Sequence, residues 1–171
     1  GVGLAFATAE DRMPGTVNTG AVTLGFTVAT AIPVGGKITL VLPMNYFSAV
    51  DSSKLNTLSP GGATCTCTLT KAAGAAVTDA VTCTTAGAVV AAGAQTLTLI
   101  AGAVTTGVPQ AASTFQVSTS TDRALVNPLF TESLFFGQLT DGVGLAFATV
   151  GDRVPGTVNT GAVTLGFTVA T

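Results

Sequence analysis

Apolar and polar residues alternate along this chain with a period of two. In AVTLGFTVAT (21–30), KITLVLP (37–43), ATCTCTLT (63–70), TDAVTCTT (78–85), QTLTLI (95–100) and STFQVSTST (113–121), apolar side chains alternate with others that are mostly Thr or Ser. Successive side chains of a strand point to opposite faces, so each run predicts a strand with one buried face and one hydroxyl-bearing face. Turn chemistry separates the runs: Pro33, Gly35 and Gly36 mark one turn, and AAGAA at 72–76 marks a hairpin. Helical periodicity is nearly absent, and a single helical turn is expected at 45–55, where NYFSAVDSSKL follows Pro43. Short strands at this spacing predict an all-β, antiparallel β-sandwich.

The same pattern restarts near the C-terminus. Residues 1–30 and 142–171 are identical at 27 of 30 positions, differing at Ala9/Val150, Glu10/Gly151 and Met13/Val154. The period is therefore 141 residues, far beyond the roughly 20–50 residues of solenoid repeats and close to the commonest domain size. Each repeat is expected to be a self-contained bead, and the chain a window on a longer tandem array. The expected organisation is the end of a preceding junction at 1–15, a sandwich repeat at 16–122, an apolar junction at 123–156 and the first strand of the next repeat at 157–171.

Composition changes the picture of the surface. Charged residues make up 8% of the chain, against about 25% in an ordinary soluble domain. In their place stand 31 Thr and 8 Ser, so the polar face of each strand carries hydroxyls rather than charges. Such a face can be wetted, packed against a neighbour, or covered by O-linked sugar. The candidate O-glycosylation sites are Thr64, Thr66, Thr68 and Thr70 in one row, with Ser118, Thr119, Ser120 and Thr121. No Asn lies in an N-x-S/T sequon.

Candidate chemistry is sparse. Six basic residues, scattered from Arg12 to Arg153, form no stripe that would neutralise phosphates, so no nucleic-acid partner is expected. The most apolar stretch, 86–112, is interrupted by Gln95, Pro109 and several Thr and Gly, so no membrane span is expected. There is no His, which removes the Ser-His-Asp and Cys-His constellations. The carboxylates are isolated apart from Glu10 and Asp11. No catalytic, cofactor-binding or metal-binding residue is assigned, and no enzymatic activity is expected.

The three cysteines fall in the expected hairpin of 63–70 and 78–85. Cys65 and Cys67 share a sheet face, and either can lie opposite Cys83 according to where the turn is centred. One disulfide and one leftover thiol are expected, in an oxidising, extracellular setting, with the thiol available to cross-link repeats.

The junction is too apolar for a solvated linker. Leu134, Phe135, Phe136, Leu139, Val143, Leu145 and Phe147 are the candidate inter-repeat contacts, and GVGLAFAT at 142–149 alternates as a strand does. Two readings stay open: 134–149 docks as a donor strand on a neighbouring bead, or it supplies the last strand of its own.

The block VTLGFTVATAIPVGGKITLVLP (22–43), the Cys-containing hairpin and STFQVSTSTD (113–122) together resemble the immunoglobulin-like (Ig/IPT-type) repeats of very large secreted surface and fibre proteins of algae and other microbes. The resemblance covers about 16–122. It implies an extracellular or cell-surface location, an immunoglobulin-like sandwich in tandem array, and a structural, often glycosylated role. The absence of Trp departs from the antibody-type core. The expected function is that of a structural subunit of an extracellular fibre, sheath or surface appendage. Its expected partners are neighbouring copies of the same repeat and covalent O-linked glycans. The alternative is an adhesin stalk or carbohydrate-binding array with recognition in loops such as 44–62.

Overall fold

The structure is a computed structural model that describes residues 3–74, 76–122, 129–134, 139–148 and 160–169. It divides into two units, Gly1–Phe135 and Phe136–Thr171. The first contains β1 (Gly3–Phe6), β2 (Val22–Val28), β3 (Lys37–Pro43), β4 (Phe47–Val50), β5 (Asn56–Ser59), β6 (Ala63–Thr70), β7 (Thr78–Ala86), β8 (Gly93–Leu99), β9 (Val104–Thr106), β10 (Thr114–Thr119) and β11 (Leu129–Thr131). The second contains β12 (Leu139–Phe147) and β13 (Val163–Val169). The protein is all-β, and each of the six alternating runs forms a strand within two residues of its expected limits.

The burial pattern tracks the alternation. Leu24, Phe26, Ile38, Leu40, Leu42, Leu97, Phe115 and Val117 are buried, while Thr27, Thr66, Thr68, Thr84 and Thr96 between such positions are exposed. At 45–55 the chain does not take the expected helical turn. Asn45 adopts a left-handed φ of 60°, which ends any helical path after Pro43, and β4 then pairs with β9 through Phe47↔Thr106 and Val50↔Val104. This small ladder is held by close backbone approach at Gly107. Its N–H donates to the Tyr46 carbonyl (2.8 Å), and a Cβ there would overlap the Asn45 carbonyl oxygen.

The strand order is β1-β11-β10-β3-β7-β6-β5-β8-β2, and β2 pairs again with β1, so the sheet is one closed ring. The sequence predicts two sheets packed face to face. The difference comes from β1 and β11, short strands outside the six alternating runs, which pair with each other and seal the open edges. Sealing satisfies edge N–H and C=O groups that would otherwise be templates for aggregation. The bead of 16–122 expected from the sequence is thus joined in the ring by strands on both sides of those limits.

Nine strands form the ring, and an odd number cannot alternate in direction all the way round. One neighbouring pair has to be parallel, and that pair is β1·β11, with Gly3 opposite Phe130 and Leu4 opposite Thr131. All the other pairs in the ring are antiparallel. Tracing directions through these pairs defines two ends. At the head lie the start of β1 and the turns 29–36, 60–62, 87–92 and 120–122. At the tail lie the end of β11, the 3-10 turn Glu10–Arg12, the turn after β6 and the β4·β9 ladder. The chain therefore enters the first unit at its head and leaves it at its tail.

Candidate functional site

Strands β6 and β7 bring the three cysteines together. Their register sets Cys67 opposite Cys83 and Cys65 opposite Thr85, and Cys67 and Cys83 form a disulfide across a sequence separation of 16. The two possible partners of Cys83 are thus resolved by hairpin register. Cys65 remains a thiol, fully buried, and burial pushes its pKa up to about 11. The three sulfurs lie within 4.8 Å of one another, and with two of them in the disulfide a single thiol is left. Cys65 therefore does not present the cross-linking thiol expected from the sequence, because the strand face that holds it points into the core. Native chain should leave Cys65 unmodified by a thiol reagent that labels it at once after denaturation; equal rates in both states would contradict its placement.

The opposite faces of the same strands make a wall of hydroxyls. Across β10, β3, β7 and β6, Ser118, Thr39, Thr82 and Thr68 stand in one cross-strand row; across β6, β5, β8 and β2, Thr64, Thr57, Thr98 and Thr23 stand in another. On the outward positions of the described ring strands, Lys37 is the one charged side chain. Thr66, Thr68 and Thr70 are exposed and Thr64 is half-buried. The second group of candidate hydroxyls is less uniform. Thr119 is buried and its Oγ1 accepts the N–H of Asp122 at 2.8 Å, whereas Ser120 and Thr121 are exposed and Ser118 is half-buried.

The carboxylates act as backbone anchors, which the sequence alone did not reveal. Asp11 is buried and accepts the N–H groups of Thr19 (2.7 Å) and Gly20 (2.8 Å) and the Thr19 hydroxyl (2.8 Å), closing the β1–β2 connection. Asp79 accepts the N–H groups of Asn45 and Ala72, both at 2.8 Å, and pairs with Lys71 Nζ at 2.9 Å. Asp122 accepts the N–H groups of Ala29 and Thr30 at 2.9 Å. Burial raises the carboxyls of Asp11 and Asp79, but the hydrogen bonds outweigh it and hold both below the usual value; for Asp122 the bonds to Thr30 act first and in the same direction. One signal for Asp11 was present: the second copy replaces Glu10 but keeps an Asp, Asp152, beside it.

A carboxylate with a lowered folded pKa adds stability above its unfolded value and loses it as pH falls through the folded one. With no His to titrate, thermal stability should be flat from about pH 5 to 8 and fall below about pH 4. A denaturation series across that range checks this; a step near pH 6 would contradict it.

A shallow cleft of about 370 Å³ is lined by Ser48, Ala49, Val50, Ser52, Thr68, Leu69 and Lys71. Exposed Lys71 is turned to Asp79 and to the Asn45 side chain and Phe47 carbonyl, so its ammonium is already engaged at the surface.

At the junction, Leu134 is buried in the first unit and exchanges two 2.9 Å backbone hydrogen bonds with Gln110. Phe135 and Phe136 lie outside the described residues. Leu139, Val143, Leu145 and Phe147 fall on β12, which pairs antiparallel with β13. Its register is Leu145↔Leu165, Ala146↔Thr164 and Phe147↔Val163, while β1·β2 has Leu4↔Leu24, Ala5↔Thr23 and Phe6↔Val22. These three pairs of the second hairpin are those of the first shifted by 141 residues; β12 also pairs Gly144 with Gly166 and, across a register shift, Leu139 with Val169 and Thr140 with Thr168. The next bond repeats too: Ala7 N–H to Ala21 carbonyl and Ala148 N–H to Ala162 carbonyl, both 3.0 Å. Residues 145–147 thus pair with the next strand along the chain as residues 4–6 of β1 pair with β2.

No protein family, curated protein or solved structure matches the chain. Among the described residues no helix is long and apolar enough to cross a membrane.

Proposed function

We propose that the chain is a stretch of an extracellular tandem array whose immunoglobulin-like, disulfide-clamped units build a fibre, sheath or surface appendage. The observation that carries this reading is the hairpin that opens the first unit, whose three pairs recur 141 residues later. A register is set by side-chain pattern and turn geometry, so the same register from nearly the same sequence is what a restarting fold unit produces. The path through the first unit supports it further: the chain enters at the head and leaves at the tail, so the unit's two connections lie at opposite ends. The resemblance of the strand and turn sequences to immunoglobulin-like repeats of large secreted proteins agrees with this role.

The surface fits the same purpose. A wall of Thr with almost no charge has little long-range repulsion to keep copies apart, and the Cys67–Cys83 disulfide suits an oxidising exterior. No catalytic role is included, and the partners proposed are further copies of the repeat and O-linked sugar. Electron microscopy of a secreted multi-repeat chain tests the reading: filaments or straight strings of beads with a regular spacing are expected, and separate compact particles would refute it. Glycopeptide mass spectrometry of the same material should find sugar on exposed hydroxyls such as Thr66, Thr68 and Thr70 and none on buried Thr119. Sugar on Thr119, or bare hydroxyls throughout, would count against the glycan part of the proposal.

A further inference from the structure

We propose that the parallel β1·β11 pair is a mechanical clamp that lets each unit withstand tension along the chain. The proposal rests on the tandem-array reading for its physical task, but the resistance it describes belongs to a single unit and can be measured whether or not the array forms a fibre.

Direction comes first. Tension on the chain draws β1 toward the head, where the chain enters, and β11 toward the tail, where it leaves. The two strands are parallel neighbours, so they are pulled past each other along their lengths. Interstrand hydrogen bonds run across the strands, and a pull along the strands loads them together instead of opening them one at a time. β1 is held on its other side by β2 through Leu4↔Leu24, Ala5↔Thr23 and Phe6↔Val22. Freeing β1 therefore means breaking two ladders in the same event.

Side chains extend the clamp where β11 ends. The Glu132 carboxylate accepts the Phe6 N–H at 3.0 Å, doing for Phe6 what a backbone carbonyl of a longer β11 would do. Its other oxygen lies 4.0 Å from the Arg12 guanidinium, and its backbone carbonyl accepts the hydroxyl of buried Tyr46 at 2.9 Å. Two residues on, the paired bonds between Leu134 and Gln110 fix the departing chain to the tail. One residue thus ties the first strand, the 3-10 turn and the aromatic core to the last strand.

Once the clamp yields, the disulfide limits how far the unit can extend. It lies on β6·β7, away from β1 and β11, so it does not oppose the first rupture. It withholds the chain between Cys67 and Cys83 from extension, a separation of 16 residues, or about 55 Å when fully drawn out.

Single-molecule pulling on the 171-residue chain tests the proposal. The rupture that lengthens by about 55 Å under a reductant marks the first unit. Pulled through its two ends, that rupture should need at least about twice the force required when the chain is held at its N-terminus and at Val34→Cys, an exposed site at the head from which β1 is peeled pair by pair. Glu132→Gln should lower the end-to-end force and leave the peeling force unchanged. Equal forces in the two geometries, or a Glu132→Gln effect of the same size in both, would overturn the clamp while leaving the fibre reading to its own imaging test.

Discussion

Replacing Asp11 with Ala is expected to destabilise the first unit by about 3 kcal/mol, which for a unit of this size lowers the melting temperature by roughly 10 °C. The carboxylate is fully buried and accepts three hydrogen bonds, from the N–H groups of Thr19 and Gly20 and from the Thr19 hydroxyl. Truncation leaves two backbone donors and a hydroxyl, on exposed Thr19 and half-buried Gly20, without their charged acceptor. Hydrogen bonds to a charged acceptor contribute more than neutral ones. Asp11→Asn keeps one acceptor oxygen and should cost distinctly less. Calorimetry of both variants decides: an Ala variant within about 0.5 kcal/mol of the parent would mean that Asp11 does not anchor the β1–β2 connection.

Removing the disulfide should have an effect of similar size. The double variant Cys67→Ala, Cys83→Ala opens a loop with a separation of 16 residues, and the gain in unfolded-chain entropy corresponds to about 3 kcal/mol. Cys65→Ala removes a buried sulfur from the same core without altering connectivity, and about 1 kcal/mol is expected there. The contrast is informative. If the single variant costs as much as the double one, packing of the sulfurs, rather than the covalent bond, is what stabilises the hairpin.

Much of this architecture is legible in the sequence because its strands are half-buried. A strand with one wet face writes its period into the chain, and ATCTCTLT does so plainly: Cys65 and Cys67 point inward, and Thr66, Thr68 and Thr70 outward. The strands that close the ring are harder to see. β1 and β11 are four and three residues long, too short to show a period, and they are defined by the neighbours they find. Strand β4 reads as part of a helical turn because FSAV has neither clear alternation nor a helical stripe; its pairing with β9 decides its form. The candidate site divides in the same way. The hydroxyl wall and the disulfide come from alternation and hairpin register, whereas the roles of Asp11, Asp79, Asp122 and Glu132 depend on backbone N–H groups that fold toward them from distant positions, and no local pattern marks those.

The two readings of the junction show where pattern ends and topology begins. The alternation of GVGLAFAT identifies a strand but does not say whose. Residues 145–147 pair with the next strand along the chain in the register that residues 4–6 take with β2. Leu134, only a few residues earlier, is buried in the preceding unit.

The proposed array consists of repeated units, each crossed by the chain from one end to the other. Small-angle X-ray scattering from chains of one, two and three consecutive 141-residue units tests that most directly. The maximum dimension should grow by the same increment with each added unit, as in a rod; growth of the radius of gyration with about the 0.38 power of chain length, as in a compact globule, would contradict it.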